Sequence, residues 1–170
     1  MSDSSAIHES QLLREIRQTK PFRGPAHEAA VGLMRTADLI QRNFSRFVEP
    51  HGLTIQQYNV LRILRGAGSA GLPTLEIGER MIERTPGITR LIDRLEAKKL
   101  VRRERSTTDR RQVYCWITPV GLSMLAQIDE PIDRAGEEAF AGMSDGETRA
   151  LIVQLETVRQ ALNGLLGLEG

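Results

Sequence analysis

Residues 84–117, RTPGITRLIDRLEAKKLVRRERSTTDRRQVYCWI, decide the fold of this 170-residue chain. Thr85 followed by Pro86 is typical of a helix start, because a threonine side chain caps the first turn and proline lacks an N–H that would otherwise go unsatisfied there. Apolar side chains then recur at helical spacing, at Ile88, Leu91, Ile92 and Leu95. The stretch therefore begins with a predicted short amphipathic helix.

Two predicted strands follow this helix. Residues 100–105 form the first strand, and residues 112–117 form the second, in which apolar and polar side chains alternate. Between them, STTDRR is rich in turn-forming residues and carries two arginines. The pattern predicts an antiparallel hairpin with a long basic tip, of the kind called a wing.

The residues before the quoted stretch supply a partner helix. After Pro73 and Thr74, the apolar residues Leu75, Ile77 and Met81 predict a brief helix, and a tight turn then leads to the next one. Two short helices joined in this way form a helix-turn-helix. Together with the wing they predict a winged helix-turn-helix, which is an arrangement that binds duplex DNA.

Positive charge is concentrated in the same part of the chain. Residues 80–111 contain eleven Arg and Lys against five Asp and Glu, a local charge of +6, whereas the whole chain carries only +1. A basic patch on an otherwise acidic body focuses the binding of a polyanion. Charge alone leaves open the alternative of a solvated charged face.

Long helices are predicted on both sides of this lobe. Apolar spacing predicts one from about residue 26 to 48, and a capping box of Thr54 and Gln57 begins the next. Thr118 and Pro119 begin another helix after the wing, within which Pro131 is expected to cause a kink or an interruption.

The last predicted helix begins at a second capping box, Ser144 with Glu147. Its apolar residues then recur at intervals of four and three, which is the spacing of a heptad repeat. This spacing favours dimerisation, with packing inside one chain as the alternative. The predicted dimerisation seam consists of Leu151, Leu155, Val158, Leu162 and Leu165.

Composition and motifs argue against several classes of protein. The chain is 40% hydrophobic and 26% charged, as is usual for globular domains. No apolar run approaches the roughly 18 residues of a membrane span, and the N-terminus lacks the features of a signal peptide, so we expect a cytoplasmic protein. One cysteine and three scattered histidines form no metal motif, and no catalytic motif is present. The sequence therefore predicts neither a cofactor nor an enzyme.

The segment ITRLIDRLEAKKLVRRERSTTDRRQVYCWITPVG resembles the MarR family of bacterial winged-helix transcriptional regulators. The patterns ITRLIDRLE, KKLVRR, DRR and ITPVG occur in the order and spacing of that family, and the resemblance covers about residues 31–166. It implies a mainly α fold with a small β-hairpin wing. A DNA-binding lobe at about 54–117 would lie between dimerisation helices at about 26–50 and 119–168, within a domain of residues 26–170 preceded by an N-terminal extension, residues 1–25.

The resemblance also implies a function. Members of the family are homodimers that bind pseudo-palindromic operators in double-stranded DNA, usually as repressors released by a small molecule. The alternative is a winged-helix module whose basic patch contacts an acidic protein.

The outer face of the predicted recognition helix suits a DNA groove. Arg90 can bind a guanine edge or a phosphate, while Asp93 and Asp109 are expected to orient neighbouring arginines. A narrow minor groove attracts an inserted arginine, and the resemblance favours Arg111 over Arg110 for this role. Arg102 is a further candidate phosphate contact. The predicted DNA-binding residues are Arg84, Thr85, Pro86, Gly87, Thr89, Arg90, Arg94, Arg103, Arg105, Asp109, Arg110 and Arg111.

The chain departs from the family pattern just before the recognition helix. Many members have a Gly-Val-Ser-like turn there, whereas this chain has IER followed by TPG at residues 82–87. The start of the helix is therefore open to a shift of one residue.

A sensor site is predicted with less detail. Cys115 falls on the apolar face of its strand, where burial raises the pKa of a thiol, so we expect a structural cysteine and not a redox sensor. The resemblance implies a pocket for a small aromatic or anionic effector between the first long helix, the second helix and the helix after the wing, with Arg62 as the counter-charge. Its candidate lining residues are Met34, Asp38, Arg42, Tyr58 and Arg62.

Overall fold

The computed structural model describes residues 10–83, 86–109 and 111–168. The helices among these residues are α1 Gln11–Glu15, α2 Pro25–Val48, α3 Ile55–Ala67, α4 Thr74–Glu79, α5 Ile88–Ala97, α6 Pro119–Ala139 and α7 Asp145–Leu166. The strands are β1 Leu72–Pro73, β2 Val101–Arg105 and β3 Val113–Ile117, and short 3-10 turns cover Glu49–His51 and Gly68–Ala70. The mainly α fold with a small wing is thereby confirmed.

The described residues up to 42 and those from 43 onward form two compact units. In the first unit, Leu12 of α1 packs against Gly32 of α2. The Cδ2 atom of Leu12 lies 3.6 Å from the position that a Cβ atom on Gly32 would occupy. Helix α1 has only five residues. Arg17 follows it with a φ of 53°, a left-handed conformation that does not continue a right-handed helix. The boundary predicted at residue 25 remains a prediction.

The second unit is organised around one hydrophobic core. Helix α3 contributes the most buried side chains, and α4, α5, the wing and α6 pack around it. Helix α7 contributes no buried residue. The largest fully buried side chains are Val48, Val60, Leu61, Leu64, Ile77, Ile92, Leu95, Val101, Cys115, Leu125 and Ile128.

Both predicted capping boxes are confirmed. The Thr54 side chain accepts a hydrogen bond from the backbone N–H of Gln57, whose side chain accepts one from the N–H of Thr54. Ser144 and Glu147 make the same pair of bonds at the start of α7. The N–H of Ser144 stabilises the carboxylate of Glu147 and lowers its pKa. These helix starts follow from local hydrogen bonding alone.

The wing is the predicted antiparallel hairpin, with one addition. Strand β3 lies between β2 and the two-residue β1, giving a three-stranded sheet. Cys115 is opposite Arg103 on one side and opposite Leu72 on the other. The short strand β1 therefore joins the start of α4 to the base of the wing.

The predicted start of the recognition helix was wrong. Helix α5 begins at Ile88, and its N-cap is Gly87, not Thr85. Gly87 has a φ of 95°, in the left-handed region that glycine adopts without strain. A left-handed residue cannot belong to the helix, so the helix starts after it.

Helix α6 runs through Pro131 without the interruption that was one of the two expected effects of this proline, and the other, a kink, stays a prediction. A proline inside a helix removes one backbone hydrogen bond. Ile128 and Ile132 on either side of it are buried in the core, and their packing holds the helix in place.

Candidate nucleic-acid interface

The recognition helix α5 separates its inner and outer faces as the sequence predicted. Ile92 and Leu95 are fully buried, while Ile88 and Leu91 pack partly buried against the core. The exposed side chains on and just before the helix include Pro86, Gly87, Thr89, Arg90, Asp93 and Arg94. Because Gly87 is the N-cap, Thr89 and Arg90 belong to the first turn of the helix.

The wing tip is a compact, hydrogen-bonded turn. The Ser106 hydroxyl accepts from the N–H groups of Thr108, at 3.2 Å, and Asp109, at 3.1 Å. The carboxylate of Asp109 accepts from the backbone N–H of Arg111 at 3.0 Å. Asp109 thus orients Arg111 through its backbone, and the guanidinium stays on an exposed residue.

Arg103 connects the wing to the recognition helix. Its Nη1 lies 2.6 Å from Oδ1 of Asp93, and its Nε donates to Oε2 of Glu96 at 2.8 Å. Nη2 donates to the same oxygen of Glu96. The hydrogen bond that Arg103 donates to Glu96 is the main cause that raises the pKa of Arg103. The sequence predicted that Asp93 would orient an arginine, but its closest charged partner is Arg103 on β2 and not Arg90 on its own helix.

The other basic residues of β2 have different surroundings. The guanidinium of Arg102 lies over the ring of Trp116, 4.0 Å from its centroid, and pairs with Glu104. The indole Nε1 of Trp116 donates to the carbonyl of Ser69 at 3.1 Å. Arg105 is exposed. Arg102 is therefore held against an aromatic ring, whereas the guanidinium of Arg105 faces solvent.

A cavity of about 640 Å³ lies between α4, the start of α5 and the wing. Sequence reasoning did not find it, because its walls come from three separate elements. Its lining combines apolar, acidic and basic side chains: Pro73, Thr74, Leu75, Glu76, Glu79, Thr89, Arg103, Arg111, Gln112 and Val113.

The C-terminal end of α5 is fixed to the start of α6. The Thr118 N–H donates to the carbonyl of Leu100 at 3.0 Å, and its hydroxyl donates to the carbonyl of Lys99 at 2.7 Å. A Cβ atom on Gly121 would stand only 2.4 Å from the carbonyl oxygen of Leu100. Only glycine at this position lets the two backbones approach so closely. The TPVG sequence was seen as a helix start, but its contact with Leu100 is visible only in three dimensions.

Two of the predicted effector-site residues lie together on α3. The Tyr58 hydroxyl donates to Oδ1 of Asp129 on α6 at 2.9 Å, and Arg65 pairs with the same carboxylate. The guanidinium of Arg62 lies 5.8 Å from the centroid of the Tyr58 ring. Burial, together with the carboxylate of Asp129, raises the pKa of Tyr58 well above its ordinary value. Tyr58 is therefore a neutral hydrogen-bond donor at physiological pH.

The other three predicted effector-site residues lie on α2. Asp38 pairs with Arg42 at 3.0 Å and with Arg35 at 3.4 Å along the same helix. Met34 is 66% exposed. Their membership of a pocket remains a prediction.

Cys115 is fully buried, as expected. Its sulfur lies 3.6 Å from the hydroxyl of Thr74, and burial raises the pKa of the thiol. A protonated, enclosed thiol is a poor nucleophile.

The predicted seam on α7 is largely exposed within one chain. Leu151 and Leu155 are half-buried, whereas Val158 is 42%, Leu162 49% and Leu165 83% exposed. Helix α7 therefore presents an apolar face that the described residues of its own chain do not cover.

Three predicted DNA-binding residues, Arg84, Thr85 and Arg110, lie outside the described residues. Within the described part of the chain, no group of three or more His, Cys, Asp and Glu is arranged to hold a metal ion. None of the described helices is long and apolar enough to span a membrane.

Comparison with known proteins assigns this fold to a family of regulators. A sequence profile described as the MarR family matches residues 53–113. The HTH-type transcriptional regulator MhqR of Bacillus subtilis (strain 168) is 32% identical over 114 residues, which cover 62% of this chain and 77% of that protein. Such relatives are transcriptional regulators and not enzymes.

Solved structures share the fold. The S. aureus MepR–DNA complex matches with a TM-score of 0.72 and 20% identity, covering 78% of this chain and 96% of the other. A structure of Bordetella bronchiseptica BpsR, concerned with regulation of DNA binding by 6-hydroxynicotinic acid, matches with a TM-score of 0.68 and 22% identity over 78% and 98% of the two chains.

Proposed function

Because this chain belongs to the MarR family of transcriptional regulators, we propose that it binds a pseudo-palindromic operator as a homodimer and represses transcription until a small effector binds. The observation that carries the proposal is the exposed polar face of α5 beside a basic wing. The inner face of the same helix is buried in the core, which holds the outer face rigidly for contact with DNA.

The proposed DNA contacts are of two kinds, those with base edges and those with phosphates. Thr89 and Arg90 enter the major groove, where Arg90 donates to a guanine edge. Pro86 and Gly87, which carry little or no side-chain bulk, let the start of α5 approach the duplex closely. The guanidinium groups of Arg94 and Arg105 contact phosphates, which position the protein without specifying sequence.

The wing tip contacts the neighbouring minor groove. Arg111 enters the groove, and Asp109 fixes the backbone from which its side chain extends. Arg84, Thr85 and Arg110 retain the DNA-binding roles predicted from the sequence.

Dimerisation uses the apolar face of α7. A helix whose apolar face is left in water gains little stability from its own hydrogen bonds, so that burial against a second copy stabilises it. The seam from Leu151 to Leu165 supplies that face. Two-fold pairing would place the recognition helices about 34 Å apart, one turn of DNA, which is the spacing of operator half-sites.

The effector is an aromatic or other small anion. Arg62 and Tyr58 offer a cation and a hydroxyl on α3, and Asp129 holds the hydroxyl in place. The 6-hydroxynicotinic acid named for BpsR has this chemistry, and is an acid of the class proposed. The other proposed lining residues are Met34, Asp38 and Arg42. We place the protein in the cytoplasm, where its DNA is.

The alternative is a wing that binds an acidic protein. Titration of random duplex at several salt concentrations separates the two proposals, because phosphate contacts release counterions and each lowers the slope of log K against log salt by about 0.9. Footprinting on the DNA upstream of the protein's own gene then tests for an operator. Failure to bind any duplex would leave the acidic-protein alternative.

The same titration tests the wing tip. Replacing Arg111 with Ala is expected to weaken operator binding about tenfold, because a minor-groove cation is lost. Unchanged operator affinity would show that the tip does not enter the groove. A panel of small aromatic acids, added to the footprinting reaction, tests the effector: an active acid restores cleavage of the protected DNA.

A further inference from the structure

We infer that Arg103 is a positioning residue that ties the wing strand β2 to the recognition helix α5 through Asp93 and Glu96, and is not one of the phosphate contacts. The sequence had grouped it with the arginines that bind DNA. The inference rests on the proposed function, because it concerns how the same DNA-binding surface is held in shape.

The register of the sheet sets the direction of the Arg103 side chain. Arg103 is directly opposite Cys115 across the β2–β3 pair, so their side chains lie on the same face of the sheet. Cys115 is fully buried. Arg103 therefore extends from the inner face of the wing towards α5, and its side chain is only 27% exposed.

Each of the three nitrogens of the guanidinium already has a carboxylate partner on α5. Nε and Nη2 both donate to Oε2 of Glu96, and Nη1 lies 2.6 Å from Oδ1 of Asp93. A guanidinium has five N–H donors in a fixed plane, so bonds from all three nitrogens fix its orientation. Three of the five donors are engaged in this way, and a phosphate contact that turned the guanidinium away from α5 would break this network.

The two carboxylates explain why a bridge is needed. Asp93 and Glu96 are three residues apart on α5, a spacing that brings side chains to neighbouring positions on a helix. On a helix that faces DNA, unpaired carboxylates would repel the phosphates. Arg103 offsets part of this negative charge and at the same time sets the distance between the recognition helix and the wing.

Arg105 offers a matched comparison. It lies two residues along β2, on the same face of the strand, but it is exposed. Arg105 is therefore suited to a phosphate contact, and Arg103 to a bridge inside the protein. The two roles predict different effects of salt on operator affinity, and different effects of removing the carboxylates of Asp93 or Glu96.

The first test asks whether the loss of the negative charge of Glu96 tightens or weakens operator binding. Glu96→Gln removes a negative charge close to the DNA surface, so a simple electrostatic effect would tighten binding. We expect instead that it weakens operator binding about fivefold, because the bridge loses its main partner. The control is Glu104→Gln, which removes an exposed carboxylate from β2, the strand that carries Arg103. It is expected to leave operator affinity unchanged or to raise it. Tighter binding by Glu96→Gln would overturn the inference.

The second test compares the two arginines. Arg105→Gln should reduce the salt slope of operator binding by about 0.9, the contribution of one phosphate. Arg103→Gln should weaken binding without changing that slope. Arg103→Lys keeps the charge but cannot bridge two carboxylates with a planar fork, so it should bind as weakly as Arg103→Gln.

The outcomes separate the inference from the proposed function. A reduced salt slope for Arg103→Gln, or full affinity for Arg103→Lys, would overturn the positioning role while leaving DNA binding intact. No duplex binding by the unaltered protein would overturn the proposed function itself. Thermal unfolding of each variant identifies any loss of affinity that comes from a loss of folded protein, and Glu96→Gln, which keeps the shape of the side chain, provides a test that does not depend on the arginine variants.

Discussion

Helices α5 and α7 are both amphipathic, but their apolar faces have different surroundings. α5 has ten residues, and its Ile92 and Leu95 are fully buried among α3, α4 and the wing. α7 has twenty-two residues and none of them is buried. The contacts within one chain thus position α5, whereas the described residues leave the apolar face of α7 exposed. Under the proposed function, DNA contact and assembly use separate parts of one molecule.

The largest effect is expected from a charge in the middle of the α7 seam. Leu162→Asp places a carboxylate in both copies of the proposed interface, and an unpaired charge at an apolar contact is strongly unfavourable. We expect operator affinity to fall about 100-fold or more, since each half-site then binds separately. Sedimentation equilibrium would show a monomer.

Gln160→Asp is the control for this change, because it adds the same charge to α7 outside the seam. It should leave a dimer with normal affinity. A dimeric Leu162→Asp protein would remove the contrast between the two helices, because the exposed face of α7 would then have no role in assembly.

Truncation of a buried side chain on α5, which leaves a cavity in the core, should have the next largest effect. Leu95 is fully buried, so Leu95→Ala is expected to lower the free energy of unfolding by about 3 kcal/mol. Leu75→Ala, at a side chain that is 79% exposed, should change it by less than about 0.5 kcal/mol. Urea unfolding measures both. Equal effects would mean that the burial of α5 does not determine its stability.

The contact between α5 and α6 supplies a third test. A methyl group on Gly121 would overlap the carbonyl of Leu100, so Gly121→Ala is expected to cost about 2 kcal/mol of folding free energy through overpacking. Gly136 lies on the same helix, and a Cβ there would meet nothing within 4 Å. Gly136→Ala should therefore stabilise the protein by about 0.5–1 kcal/mol through helix propensity. If both variants were stabilised, the end of α5 would not be fixed by α6.

The smallest expected effect concerns the thiol of Cys115, whose ionisation and alkylation show how well the core encloses it. Because burial raises the pKa of the thiol, the folded protein keeps it protonated at a pH where an exposed cysteine begins to ionise. The folded state then binds more protons than the unfolded state, so this group's contribution to stability is lost as the pH rises above the unfolded value of about 8.5. Alkylation at pH 8 should be slow in native buffer and fast in denaturant. Rapid native alkylation would indicate that the lobe opens readily.

Much of the fold was predictable because its signals are local. The capping boxes at Thr54 and Ser144 depend on residues three positions apart, and both are present. The alternation of residues 112–117 gave the inner face of β3 with Cys115 buried on it. Neighbours in sequence decide these features, so sequence patterns are sufficient to find them.

Two features of the helices departed from the local signals. Pro131 was expected to kink or interrupt α6, but Ile128 and Ile132 on either side of it pack in the core and the helix continues through it, so that only the kink stays a prediction. The start of α5 was predicted from Thr85 and Pro86, whereas the left-handed conformation of Gly87 sets it. In the first case core packing outweighs a helix-breaking preference, and in the second the backbone conformation of one glycine sets the helix start.

The sequence by itself determined the winged helix-turn-helix, its concentration of positive charge, the two capped helices and the heptad seam, because periodicity and capping are properties of neighbouring residues. Only the tertiary structure decided that Asp93 pairs with Arg103 and not with Arg90, and that Gly121 lies against Leu100. These contacts join residues on separate elements, and their distances depend on how the sheet and helices pack. Spacing along the chain determines which side chains share a face, whereas packing determines which groups on different faces meet.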